Sequence, residues 1–110
     1  MKKPFEELAA LDKLIHEPAR LAIMTALSAC TSADFIFLQQ LTGLTKGNLS
    51  SHLTKLEEAH LIAVEKRFVG KTPNTLISLT EEGRGAIDRH WELLDTLRKD
   101  TKKISLDGAV

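Results

Sequence analysis

Apolar residues recur every three or four positions through most of this chain, and that rhythm changes once, between Leu61 and Leu79. Three- and four-residue spacing is the signature of helices that bury one face. After Pro4, the positions Phe5, Leu8, Leu11, Leu14 and Ile15 predict a first helix from about Phe5 to Ile15. His16-Glu17-Pro18 should stop it, because the residue before a proline resists the helical region. Pro18 then suits the first position of a second helix, where its missing N–H costs nothing. That helix is expected to reach about Ala29, burying Leu21, Ile23, Met24 and Leu27 and turning Arg20 outward. A small-residue link, Cys30 to Ala33, follows, in which Ser32 or Ala33-Asp34 can cap a third helix. The third helix runs from Asp34 to about Thr42 and carries Phe35, Ile36, Leu38 and Leu41.

Gly43-Leu44-Thr45 reads as a tight turn, since glycine accepts the left-handed conformation that ends many helices. Thr45 is a good N-cap for a fourth helix, with Asn48 three residues on, where a capping box places its partner. Leu49, Leu53, Leu56 and His60 fall on one side of this helix. Its opposite side holds Gly47, Ser51 and Thr54, flanked by Asn48, Ser50 and Lys55. Small hydroxyl residues are poorer helix formers than Glu, Lys or Arg, so solubility alone does not call for them. They donate and accept hydrogen bonds and let the backbone come close, which suits base edges and phosphates in a DNA major groove. A merely Ser-rich solvated face is the plainer alternative. Two helices joined by a short glycine-containing turn form a helix-turn-helix, here over about 34–60.

From Leu61 to Arg67 the pattern alternates, with Ile62 and Val64 on one face and Glu65 and Arg67 on the other, as in a strand. Phe68 to Asn74, with Gly70, Lys71 and Pro73, reads as a hairpin tip. Thr75 to Leu79 is the return strand, with Leu76 or Ile77 turned inward. Thr80 then caps a last helix whose first turn holds Glu81 and Glu82, carboxylates suited to the positive helix end. Continued to about Lys103, this helix would be roughly 35 Å long. It repeats Ile87, Trp91, Leu94 and Leu97, and Ile104 and Leu106 follow in the tail. The expected fold is therefore mainly α with a small β-hairpin (α+β): a winged helix-turn-helix with a long C-terminal helix. Residues 1–110 read as one domain, with the wing at about 62–79 and terminal helices available for dimerisation.

Three runs carry a family resemblance. Leu14-Ile15-His16-Glu17-Pro18-Ala19-Arg20-Leu21-Ala22-Ile23, Asn48 through Ala59, and Leu79-Thr80-Glu81-Glu82-Gly83-Arg84 resemble small bacterial and archaeal winged-helix transcriptional regulators of the MarR and ArsR type. The resemblance covers about Leu11 to Leu97. It implies a homodimeric regulator that binds double-stranded DNA with the second helix of the motif in the major groove. Carried over residue by residue, it places Lys46, Asn48, Ser50, Ser51, Thr54 and Lys55 against DNA, with Arg67 and Lys71 on the wing. Many relatives have glycine where the recognition helix closes, and this chain has His60, which must accept a turn conformation less easily.

Composition changes this picture little. The 15 basic and 15 acidic residues cancel, so positive charge for DNA must be concentrated on one face. The single cysteine, Cys30, excludes an intramolecular disulfide, fits a reducing cytoplasm and reads as a small core residue. No apolar run reaches membrane-spanning length, and no signal peptide opens the chain. Gly43, Gly47, Gly70, Gly83 and Gly85 form no phosphate-binding loop. With no nucleophile–base pair either, no enzyme activity and no cofactor is expected. Asp88-Arg89-His90 resembles half of a metal-sensing site, but it lacks further ligands, so no metal is expected and both side chains read as a solvated face. His52 could touch a phosphate, but it is expected rather to cover the helix edge against the wing.

Phe5, Leu8, Leu11 and Ile15 at one end, with Trp91, Leu94 and Leu97 at the other, exceed what one small core should absorb. They predict a two-fold homodimer seam. The partners expected are thus double-stranded DNA and a second copy of the chain, with no membrane and no small-molecule effector readable. A winged-helix module that binds only protein is the competing expectation. Such a module would carry exposed Leu, Phe or Met on the recognition helix in place of Ser, Thr, Asn and Lys.

Overall fold

The computed structural model describes residues 5–9 and 11–103, so Pro4, Ile104 and Leu106 lie outside the described residues. The elements are α1 (Glu6–Ala9), α2 (Pro18–Ser28), β1 (Ala33–Asp34), α3 (Phe35–Thr42), α4 (Lys46–Glu58), β2 (Ile62–Val69), β3 (Thr72–Leu79) and α5 (Glu81–Lys103). The three strands form an antiparallel sheet in the order β1-β3-β2. Ile23, Met24 and Leu27 of α2, Leu38 of α3, Leu49 and Leu56 of α4, Ile77 of β3 and Ile87 of α5 make the innermost core. Among the described residues no helix is long and apolar enough to cross a membrane.

The first helix is shorter than its apolar spacing predicts, stopping at Ala9 instead of near Ile15. Asp12 supplies a reason. Its Oδ1 accepts the Leu14 N–H at 2.9 Å, and its carbonyl accepts the His16 N–H at 2.8 Å. A side chain that offers the backbone a local turn competes with the helical ladder. At α2 the cap is Glu17, whose two carboxylate oxygens accept the Ala19 and Arg20 N–H groups at 3.1 and 2.9 Å. Asp34 caps α3 through the Phe37 N–H. It also belongs, with the buried Ala33, to β1, a two-residue strand opposite Leu76 and Ile77 that residue periodicity does not reveal.

The helix-turn-helix corner forms as its residues dictate. Gly43 closes α3 at φ 70°, and the Thr45 hydroxyl accepts the Asn48 N–H to open α4. His60 lies beyond α4, exposed and at φ 61°, and does not extend the helix's inner face. Its N–H reaches the Glu57 carbonyl at 2.9 Å and the Leu61 N–H reaches Leu56 at 3.0 Å. This paired closure satisfies the last helical carbonyls, which offsets the strain of a non-glycine left-handed residue.

The Leu79-Thr80-Glu81-Glu82-Gly83-Arg84 run knits the domain together at this corner. The Thr80 hydroxyl donates to the His60 carbonyl at 2.7 Å and accepts the Gly83 N–H at 2.9 Å, capping α5. A Cβ at Gly83 would overlap the Leu61 carbonyl oxygen, so only glycine lets α5 start this close to the exit of α4. Arg84 donates to the carbonyls of Ser28 and Cys30 at 3.2 and 3.3 Å, satisfying backbone acceptors where α2 ends.

The hairpin is longer than expected. Pairing continues from Ile62↔Leu79 to Val69↔Thr72, so the tip shrinks to Gly70 and Lys71. From Glu65 to Pro73 every side chain is exposed, and backbone pairing alone carries the arm that far.

Candidate nucleic-acid interface

Leu49, Leu53 and Leu56 anchor α4 to the core with at most 6% of their surface exposed. That fixes which face of the helix looks outward. Lys46, Asn48, Ser50, Ser51, Thr54 and Lys55 are all exposed, as are Arg67 on β2 and Lys71 at the hairpin tip. The α4 N-terminus and the hairpin flank a cleft of about 440 Å³ whose lining includes Gln39, Lys46, Ser50, Asn74 and Thr75. A second cleft of about 270 Å³ continues between α4 and the hairpin past Thr54, Glu57 and Lys66. Helix and wing thus border the same clefts, whose polar groups are set among Phe35, Ile36, Leu53, Val64 and Pro73.

Not all of these groups are equally free. The Thr54 hydroxyl donates to the Ser50 carbonyl one turn back at 3.0 Å, so it faces outward chiefly as an acceptor. Arg67 Nε donates to Asn74 Oδ1 at 3.0 Å across the strands, which orients the guanidinium while its terminal nitrogens keep no partner among the described residues. Lys66, Gln39, Asn74 and Thr75 were not among the expected contact residues. Lys66 could have been found from the two-residue period, since it shares a face with Ile62 and Val64. The others border the interface only because the hairpin folds back beside α3 and α4.

His52 does not cover the edge toward the wing. It turns the other way, to α2: Arg20 Nη1 lies 3.1 Å from its Nδ1, and a Glu17 oxygen lies 3.6 Å from the same nitrogen. Arg20, expected on the outside, is mostly buried, with its Nε donating to the Leu14 carbonyl at 2.6 Å. Burial raises the Glu17 pKa, but the Arg20 and Ala19 N–H bonds, with the charges of His52 and Arg20, outweigh it and hold the carboxyl below its usual value. The start of α2 is thereby tied to the middle of α4.

The residues expected at a dimer seam divide. Leu11, Ile15 and Leu97 are buried within the single chain, Leu94 is half-buried, and Phe5, Leu8 and Trp91 are exposed by 41–46%. Trp91 Nε1 donates to Thr25 Oγ1 at 3.0 Å, which holds the indole against α2 with much of its ring uncovered. His90, expected on a solvated face, is only 5% exposed, and its Nε2 lies 3.0 Å from His16 Nδ1. Asp88 remains exposed. Among the described residues no group of three His, Cys, Asp or Glu side chains could hold a metal ion.

Residues 19–97 match the sequence pattern of a family described as the winged helix DNA-binding domain. An uncharacterized protein of Methanocaldococcus jannaschii is 31% identical over 83 residues, covering 74% of this chain and 90% of that protein. Among solved structures, a transcriptional regulator homologue from Pyrococcus horikoshii OT3 superposes with a TM-score of 0.76 at 28% identity, covering 96% of this chain and all of that one. A putitive MarR-family transcriptional regulator from Enterococcus faecalis V583 shares the fold, with a TM-score of 0.70 at 22% identity, covering 94% and 96% of the two chains.

Proposed function

From the premise that this chain belongs to the winged helix DNA-binding domain family, and is a DNA-binding transcriptional regulator rather than an enzyme, we propose that it acts as a cytoplasmic homodimer on a pseudo-palindromic operator. The observation that carries this reading is the exposed, hydroxyl-rich face of α4, with Asn48, Lys46 and Lys55, beside a cationic hairpin. Ser51, lying mid-face, and the acceptor oxygen of Thr54 meet base edges in the major groove. Lys46, Asn48, Ser50 and Lys55 flank them and fix register, while Arg67 and Lys71 meet phosphates. The domain division follows the same logic: helix-turn-helix at about 34–60, wing at about 62–79, and terminal helices at the two-fold seam.

Exposed Phe5, Leu8 and Trp91 support the seam, together with half-buried Leu94. Leu11, Ile15 and Leu97, expected at the seam, are instead buried within the single chain and would act only beneath it. A two-fold arrangement requires half-sites about one helical turn apart, or a multiple of it. Selection from a random duplex pool with the purified protein tests the reading. It should return an inverted repeat with that spacing. Failure to enrich any sequence, with no binding even at low salt, would favour the protein-binding alternative.

A further inference from the structure

The apolar end of the wing has no role in that reading. Phe68 is 71% exposed and Val69 58%. Phe68 pairs with Pro73 and Lys66 with Thr75, placing all four on the hairpin face that nearer the core holds Val64 and Ile77. This face borders α4, with Val64, Lys66 and Thr75 lining the cleft between them. Phe68 is therefore the outward continuation of the surface that α4 presents. We propose that Phe68 is an apolar wedge that enters the minor groove beside each half-site and partly unstacks one base step, an inference that rests on the DNA-binding reading.

Reach, charge and chemistry all point to this occupant. The exposed arm from Glu65 to Val69 spans about 16 Å at the rise of a strand. With α4 seated in a major groove about 12 Å wide, an arm of that length passes the bounding phosphates and ends at the neighbouring minor groove. From Glu65 to Thr75 the arm carries Lys66, Arg67 and Lys71 against one carboxylate, Glu65 at its base, and this net positive charge favours a polyanion over an acidic or neutral protein surface. Sugar C–H groups and base faces in the minor groove give an aromatic ring apolar contacts, and phenylalanine wedges of this kind kink the duplex. Pyrimidine–purine steps unstack most readily, so the operator should hold one where the wing lands.

Duplexes of the selected operator carrying 2-aminopurine at successive flanking positions test the wedge, because its fluorescence rises on unstacking. Wild-type protein should raise the signal at one step per half-site. Phe68→Ala should abolish that rise and weaken binding about tenfold, a loss of about 1.4 kcal/mol. Lys71→Ala should keep the rise while lowering the salt slope by about one per chain. Saturating wild type with no rise at any step, or Phe68→Ala retaining the full rise, overturns the wedge and leaves DNA binding intact. Wild type that binds no duplex overturns both.

Discussion

His16 Nδ1 and His90 Nε2 face each other at 3.0 Å, joining the segment before α2 to the buried side of α5. The two rings are tilted, with centroids 5.1 Å apart. One nitrogen must donate and the other accept, so the contact requires a proton to be shared between two rings and fails when both are charged. Burial lowers the His90 pKa, the charge of His16 lowers it further, and Asp12 partly offsets them.

That relationship predicts how stability depends on pH. Folded His90 binds its proton less tightly than unfolded His90, so the unfolded chain takes up the proton first as pH falls. The stabilising contribution is complete above about pH 6.5, the ordinary histidine value. It is lost as pH drops through the lower folded value. Denaturant unfolding at pH 7.5 and 5.5 should show the loss, and NMR titration should find the His90 midpoint below the ordinary histidine value. A His90 midpoint above the ordinary value would refute the assignment.

Gly83→Ala should destabilise the fold although it places a better helix former in α5. Helix propensity alone favours alanine by about 1 kcal/mol. Against that, the added Cβ meets the Leu61 backbone carbonyl, which cannot rotate away as a side chain would. A net cost of about 1–3 kcal/mol is expected, in the range of overpacked cores. Gly47→Ala, with open space around its Cβ, should be neutral or stabilising. Thermal unfolding of the two variants compares them directly, and equal melting temperatures would remove the close-approach explanation.

Trp91→Ala should weaken the proposed homodimer by about 2 kcal/mol or more, the range of aromatic anchors at interfaces. Trp91→Phe should weaken it less, since it keeps a six-membered aromatic ring while losing the five-membered ring and its bond to Thr25. Sedimentation across a concentration series reads both. A wild-type particle of 12.2 kDa at micromolar concentration would remove the seam altogether.

On the DNA side, Ser51→Ala should change preference at particular base pairs by about 1–3 kcal/mol. Lys71→Ala should weaken all sequences alike and reduce the salt slope by about one per chain. Salt titrations on operator and scrambled duplexes separate the two. If Lys71→Ala shifted base preference while Ser51→Ala shifted only the salt slope, the roles of helix and wing would be exchanged.

Helical spacing put His60 on the inner face of α4, and only the family resemblance pointed to a closure there. Local chemistry, by contrast, was enough to read Thr45 as a cap, Gly43 as a left-handed stop, Thr80 as the start of α5 and the two-residue period of the hairpin. Each depends on residues within a few positions of one another, so the sequence by itself determined them, along with the outward face of α4. It could not reveal β1, because two residues have no period and Ala33-Asp34 becomes a strand only when β3 lies beside it. Nor could it give the length of the wing, whose outer half is held by backbone pairing between exposed side chains. The directions of Arg20, His52 and His90 were also tertiary decisions. Helical spacing says which face a side chain occupies, but the neighbour across that face comes from residues 32 and 74 positions away. Whether a polar side chain is solvated, as His90 was expected to be, or buried against a partner depends on that neighbour.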